Sequence, residues 1–163
     1  HADFAFAAVV LAEYCAGLRP GEGRDMRRRA ILLPGDLGAA GGPLFFVVSR
    51  DALKVRWAPG VGDQHTTLEE PRVIRFFEWY LATAPPAARL WPHRDSVLER
   101  TWERLVGNVL DLDITSTSGY TLSSLRAGHA TEAYIPSGDL AAVRWSLRHR
   151  GAEPTLELPL LPL

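Results

Sequence analysis

The sequence predicts an α+β fold, mainly α-helical, with one small three-stranded antiparallel sheet, as a single domain over residues 1–163. Three observations carry that expectation. Apolar residues recur at three- and four-residue steps near both ends of the chain and in its middle, the spacing of a buried helix face. Between residues 30 and 68 the pattern changes to short apolar runs divided by Pro and Gly clusters, as strands and tight hairpins require. Finally, 163 residues are enough for one well-filled core and too few for two.

Taken in order, Asp3 is placed to cap a first helix running to about Gly17, FAFAAVVLAEYCAG, apolar nearly all round and therefore buried. The run Gly17-Leu18-Arg19-Pro20-Gly21-Glu22 breaks that helix and fixes a tight turn. On its own, Arg19 in such a turn reads as a solvated loop arginine. A short helix is expected over residues 25–29. Residues 30–33, 44–49, 53–57 and 64–68 are the candidate strands, separated at Pro34-Gly35-Asp36, Gly41-Gly42-Pro43 and Pro59-Gly60-Val61-Gly62-Asp63. Lys54 falls in one of them, where a lone lysine is ordinarily a solvated edge residue.

From Arg72 the period becomes helical, with Pro71 in the first turn and Val73, Phe76, Phe77 and Tyr80 on one face; Pro85-Pro86 ends it. Residues 95–110 form a further amphipathic helix with Val97, Leu98, Trp102, Leu105 and Val109 inward. Helical spacing makes these aromatics core rather than a base-stacking surface. Asp111-Leu112-Asp113 is read as a loop, because two aspartates without further ligands do not make a cation site. Thr121 or Ser123 then caps a helix whose stripe is Leu122, Leu125, His129 and Ala133. Arg126 lies one residue from that stripe among Ala127, Gly128, Ala130 and Thr131, small neighbours that let a backbone or ligand approach its guanidinium. After the turn Pro136-Ser137-Gly138, a last helix from about Asp139 carries Leu140, Val143 and Leu147 inward. It closes at Arg148-His149-Arg150, with Gly151 suited to cap it.

Composition sets bounds. A formal net charge of −1 gives no support for nucleic-acid binding from overall balance. The basic residues are nonetheless unusual, since seventeen of eighteen are arginine and Lys54 is the single lysine. Arginine is the better bidentate phosphate ligand, although a biased codon composition accounts for the same count. The lone Cys15 excludes a disulfide framework and a cysteine-built zinc site, and points to a reducing, intracellular setting, cytoplasmic or nuclear. Phe4–Ala12 is too short to span a bilayer and has no basic flank. The chain starts at His1 and reads as a piece of a longer protein, with no internal repeat.

Three stretches together resemble the catalytic domain of the tyrosine recombinases, the phage-integrase-type DNA strand transferases. SSLRAGHAT, SGDLAAV and SLRHR follow the family pattern H-x-L-R-H-x-x-A-T, then G, then L-G-H, with Arg126 at the second catalytic arginine and His149 at the late histidine. Ser123 stands at the family's usual histidine position. AGLRPGE resembles T-G-L-R-x-x-E, with Arg19 as the first catalytic arginine and Glu22 as its accompanying acid. Lys54 lies in the region where the family carries a lysine on a hairpin of a small sheet. The four residues occur in the family's order, and the resemblance spans almost the whole chain.

The resemblance implies DNA integration or site-specific recombination by DNA strand breaking and rejoining. Arg19 and Arg126 would bind the scissile phosphate, Lys54 would protonate the leaving 5′-oxygen and His149 would move a proton or hold the phosphate. The residue types suit that chemistry. Charge builds on the non-bridging oxygens of a pentacoordinate phosphorus, and two planar guanidiniums answer it with fixed forks of donors. No metal and no cofactor is called for.

The partner implied is double-stranded DNA, on which the family assembles as a tetramer; this fragment alone is expected to be monomeric. The nucleophile is the departure. Leu158 occupies the position of the family's tyrosine, and Tyr14, Tyr80, Tyr120 and Tyr134 all precede His149. The resemblance therefore implies a cleavage-deficient chain, lacking the N-terminal core-binding domain and the C-terminal tyrosine helix. Two other readings stand beside it. One is a non-catalytic DNA-binding module that keeps the phosphate-binding arginines. The other is an unrelated α-rich interaction domain in which Arg19 and Arg126 are structural.

Overall fold

The first helix, α1 (Ala2–Cys15), is the axis on which the other elements pack. The computed structural model describes residues 2–39, 41–49, 62–115 and 119–147. Ala5, Ala8, Val9 and Ala12 of α1 are buried, and small side chains along that face let neighbouring helices approach closely. Phe4 and Tyr14 are exposed, so the helix is not covered all round as its composition suggested. Asp3 lies in the first turn rather than capping it.

After a four-residue break comes α2 (Pro20–Asp25), begun by the proline whose fixed φ suits a first helical position. The sequence placed this short helix over residues 25–29. It begins earlier because Gly23 packs directly on Glu13 of α1, where a Cβ would meet the carboxyl at 2.9 Å. Residues 28–30 instead make a 3₁₀ turn leading to β1 (Ile31–Leu32). A second 3₁₀ turn over Pro34–Leu37 ends at Gly38 with φ of 66°.

The sheet is antiparallel, in the order β1, β2 (Leu44–Val48), β3 (Gln64–Leu68), with Phe46 opposite both Ile31 and Thr66. Leu44, Phe46 and Val48 point to the core while Phe45 and Val47 are half-buried, the two-residue alternation of a one-sided sheet. The expected strand over residues 53–57 lies outside the described residues.

Helix α3 (Pro71–Leu81) covers the sheet, its Phe77 ring edge-on to Phe46 at 5.5 Å. Glu70 accepts from the Arg72 N–H at 3.2 Å and caps it. Its deepest residues are Ile74, Phe77 and Leu81, so the buried stripe is rotated slightly from the expected Val73, Phe76 and Tyr80, which are partly covered. Helix α4 (Asp95–Trp102) continues as a π-helical turn over Glu103–Val109. That wider turn changes which side chains face inward: Val106 is buried and Val109, expected in the core, is 67% exposed.

Helix α5 (Leu122–Ser137) starts at Thr121, whose N–H donates to the Ser124 hydroxyl at 2.9 Å. It runs through Pro136 instead of ending before it, although that proline has no N–H for the carbonyl one turn back, and stops at Gly138 with φ of 60°. Helix α6 (Leu140–Ser146) begins where the Asp139 carboxylate accepts from the N–H groups of Ala141 and Ala142 at 2.8 and 3.0 Å. Val143 and Leu147 close with Ala130 into a small cluster between α5 and α6, separate from the main core. The fold is thus mainly helical with a small three-stranded antiparallel sheet. Among the described residues no helix is long and apolar enough to cross a membrane.

Candidate functional site

The polar side chains of interest gather where α1 ends. A helix leaves its last carbonyls without intrahelical partners, and α1 has no basic residue in its own last turn to meet them. Other elements supply the donors. The Thr66 hydroxyl on β3 donates to the Ala16 carbonyl at 2.9 Å. The His129 ring hydrogen-bonds the Tyr14 carbonyl. Arg126 donates to the Gly17 carbonyl with one guanidinium nitrogen and to the Leu147 carbonyl with another. One arginine on α5 thereby ties the turn after α1 to the end of α6, and its positive charge suits the negative end of a helix dipole.

Gly17 makes this junction possible twice over. Its φ of 60° is left-handed, which glycine adopts without strain. A Cβ there would stand 2.8 Å from His129 Cδ2 and 3.2 Å from Leu147 Cδ2, so the missing side chain is the space that α5 and α6 occupy. His129 Nε2 is buried with no hydrogen-bond partner among the described residues. Burial pushes the imidazole below its ordinary value, and the nearby Arg126 charge works in the same direction, against the Tyr14 carbonyl bond.

Two residues past Gly17, Arg19 is held by Glu22. Its guanidinium donates to Glu22 Oε1 at 2.8 Å and its backbone N–H to Oε2 at 2.9 Å, so one carboxylate fixes both the side chain and the first turn of α2. Glu22 is buried, whereas a third of the Arg19 side chain stays exposed. Beneath this turn, Glu13 of α1 is fully buried and neither of its oxygens has a partner among the described residues. Burial raises its carboxyl from 4.5 to about 8, with Arg24 opposing and Glu22 adding to the rise, so it is protonated at neutral pH.

Of the residues singled out from sequence, Arg126 is thus joined to the backbone of the turn that carries Arg19. Ser123 is exposed in the first turn of α5, three residues before Arg126. Lys54, His149 and Leu158 lie outside the described residues. Arg126 reaches the carbonyl of Leu147, two residues before His149.

Glu13 was missed by the sequence reading, although a lone acid in FAFAAVVLAEYCAG was the available signal. Among the described residues, no group of three or more His, Cys, Asp or Glu could hold a metal ion. No family model matches the chain, and no curated protein matches it in sequence.

Proposed function

We propose that this chain is a tyrosine-recombinase-like catalytic domain that binds double-stranded DNA, its parent function being DNA integration or site-specific recombination by strand breaking and rejoining. The observation that carries the reading is the bridge made by Arg126, from the Gly17–Arg19 turn to the segment that leads into His149. It joins Arg126 to the turn that carries Arg19, two of the positions that the resemblance assigns to phosphate chemistry. Lys54 and His149, the other two, lie outside the described residues. Arg19, oriented by a buried glutamate and partly exposed, is suited to meet a phosphate oxygen with its remaining donors. With Leu158 at the nucleophile's position, the chain's own contribution is phosphate binding and not a covalent intermediate.

Fluorescence anisotropy with a labelled duplex tests this. Binding should weaken steeply with salt, and Arg19→Ala should weaken it further and reduce the slope of log K against log salt by about one. Flat anisotropy at low salt overturns the reading. A nicked suicide duplex should trap no phosphotyrosyl adduct.

A specific observation favours one alternative. Arg126 spends two donors on carbonyls, as a purely structural arginine would. In an α-rich interaction domain, its replacement would lower stability and the unmodified chain would ignore DNA.

A further inference from the structure

Glu22, the partner of Arg19, also lines a second site. Between the 22–30 segment and the end of β2 is an open cleft of about 180 Å³, many times the roughly 10–15 Å³ that one water needs. Its floor is apolar, formed by Met26, Ala30, Val47 and Val48, and its polar lining includes Arg27, Arg29 and Ser49.

The charges around it are unevenly committed. Two acids line the cleft, but Glu22 is paired with Arg19 at 2.8 Å and Asp25 faces Arg89 at 3.8 Å. Arg28, between the two lining arginines, is drawn elsewhere by Asp36 at 2.9 Å and the Ile31 carbonyl. Arg27 gives one nitrogen to the Ala87 carbonyl at 2.9 Å, leaving most of a five-donor fork. Arg29 is exposed; its backbone N–H donates to the Pro86 carbonyl at 3.0 Å, while its side chain makes no hydrogen bond or ion pair among the described residues. Acids already neutralised beside arginines with uncommitted donors leave a net positive concavity, fitted to an oxyanion.

We propose that this cleft binds a phosphate group, held by Arg27 and Arg29 with the Ser49 hydroxyl as a further donor. That the phosphate belongs to a DNA backbone rests on the function proposed above; the oxyanion site itself does not. A duplex gripped at Arg19 would then meet a second, adjacent contact, which would fix its direction across the domain without reading sequence.

The test uses the full chain and two probes, inorganic phosphate and a duplex of arbitrary sequence. Phosphate should shift the NMR signals of the Arg27 and Arg29 side chains and the Ser49 amide saturably. Arg29→Gln should weaken that binding about tenfold, as loss of a charge-assisted bond does, with Arg29→Lys restoring part of it. Arg29→Gln should also lower duplex affinity and reduce the salt slope by about one.

If phosphate shifts these signals and the duplex binds neither the wild type nor the variants, the oxyanion site stands, its ligand is a small phosphorylated molecule, and the recombinase reading falls. Phosphate that leaves the cleft signals unmoved overturns the site, even where Arg19→Ala still weakens the duplex. Shifts that persist unchanged in a folded Arg27→Gln, Arg29→Gln double variant overturn it equally.

Discussion

At its N-terminal end α1 is packed by aromatic rings. Phe4 lies edge-on to Trp79 at 5.1 Å, Phe6 tilts against Trp102 at 6.3 Å, and an exposed ion pair joins Asp3 to Arg104. At its C-terminal end the same helix is held by polar groups: Thr66, His129 and Arg126 on its carbonyls, with Glu13 buried beneath. Rings tolerate small displacements, because dispersion and burial are non-directional. Hydrogen bonds to carbonyls do not, so they fix where Arg19 and α6 stand relative to one another. Precision is concentrated at the end where the candidate site lies.

The largest expected effect comes from Gly17→Val. It forces a branched side chain into a left-handed backbone and into His129 and Leu147, and should cost about 3–5 kcal/mol in urea denaturation. A loss under about 1 kcal/mol would mean that the polar end yields as easily as the aromatic one.

Next is Glu13→Gln, whose effect depends on pH. Unfolded, the carboxyl has its ordinary value of 4.5; folded, it is raised to about 8. The folded state therefore holds a proton that the unfolded state releases. The stability this group allows is complete below pH 4.5, falls as pH rises towards 8, and is level beyond. Glutamine removes that window, so the variant should gain on the wild type by up to roughly 4 kcal/mol between the two limits. A difference that does not change with pH removes the protonated-acid account.

Arg126→Gln should follow, costing about 2–3 kcal/mol because two carbonyls lose their donors. Thermal unfolding measures it, and a variant as stable as the wild type would show those bonds to be idle. The smallest effect belongs to the aromatic end. Asp3→Asn breaks a pair whose side chains are 70% and 53% exposed and should change stability by less than about 0.5 kcal/mol. A larger loss would show that this end, too, depends on charge.

Much of this was written locally in the sequence. AGLRPGE gave the arginine, its turn and the acid that holds it. The buried Val143 and Leu147 and the Asp139 start of α6 appear as spacing and capping predict, because both are matters of neighbouring residues, although Leu140, expected beside them, is only half-buried.

What could not be read was set at a distance. Pro-Gly-Glu-Gly is a poor helix by propensity, yet it forms α2 because Gly23 lies against Glu13. The π-helical turn is a backbone choice that moves Val106 inward and Val109 out, which no helical period anticipates. Small residues around Arg126 announced that something would approach it. That the visitor was the Gly17 carbonyl, 109 residues away, no local pattern could say.

The double attachment of Arg126 has an evolutionary corollary. A residue that serves only chemistry is free to drift once the chemistry is abandoned, but this one also joins α1, α5 and α6. Selection for folding alone would keep it. A descendant that had lost any function of this surface would still carry this arginine. The exposed Ser123, which carries no comparable structural burden, is the position where relaxed selection would show first.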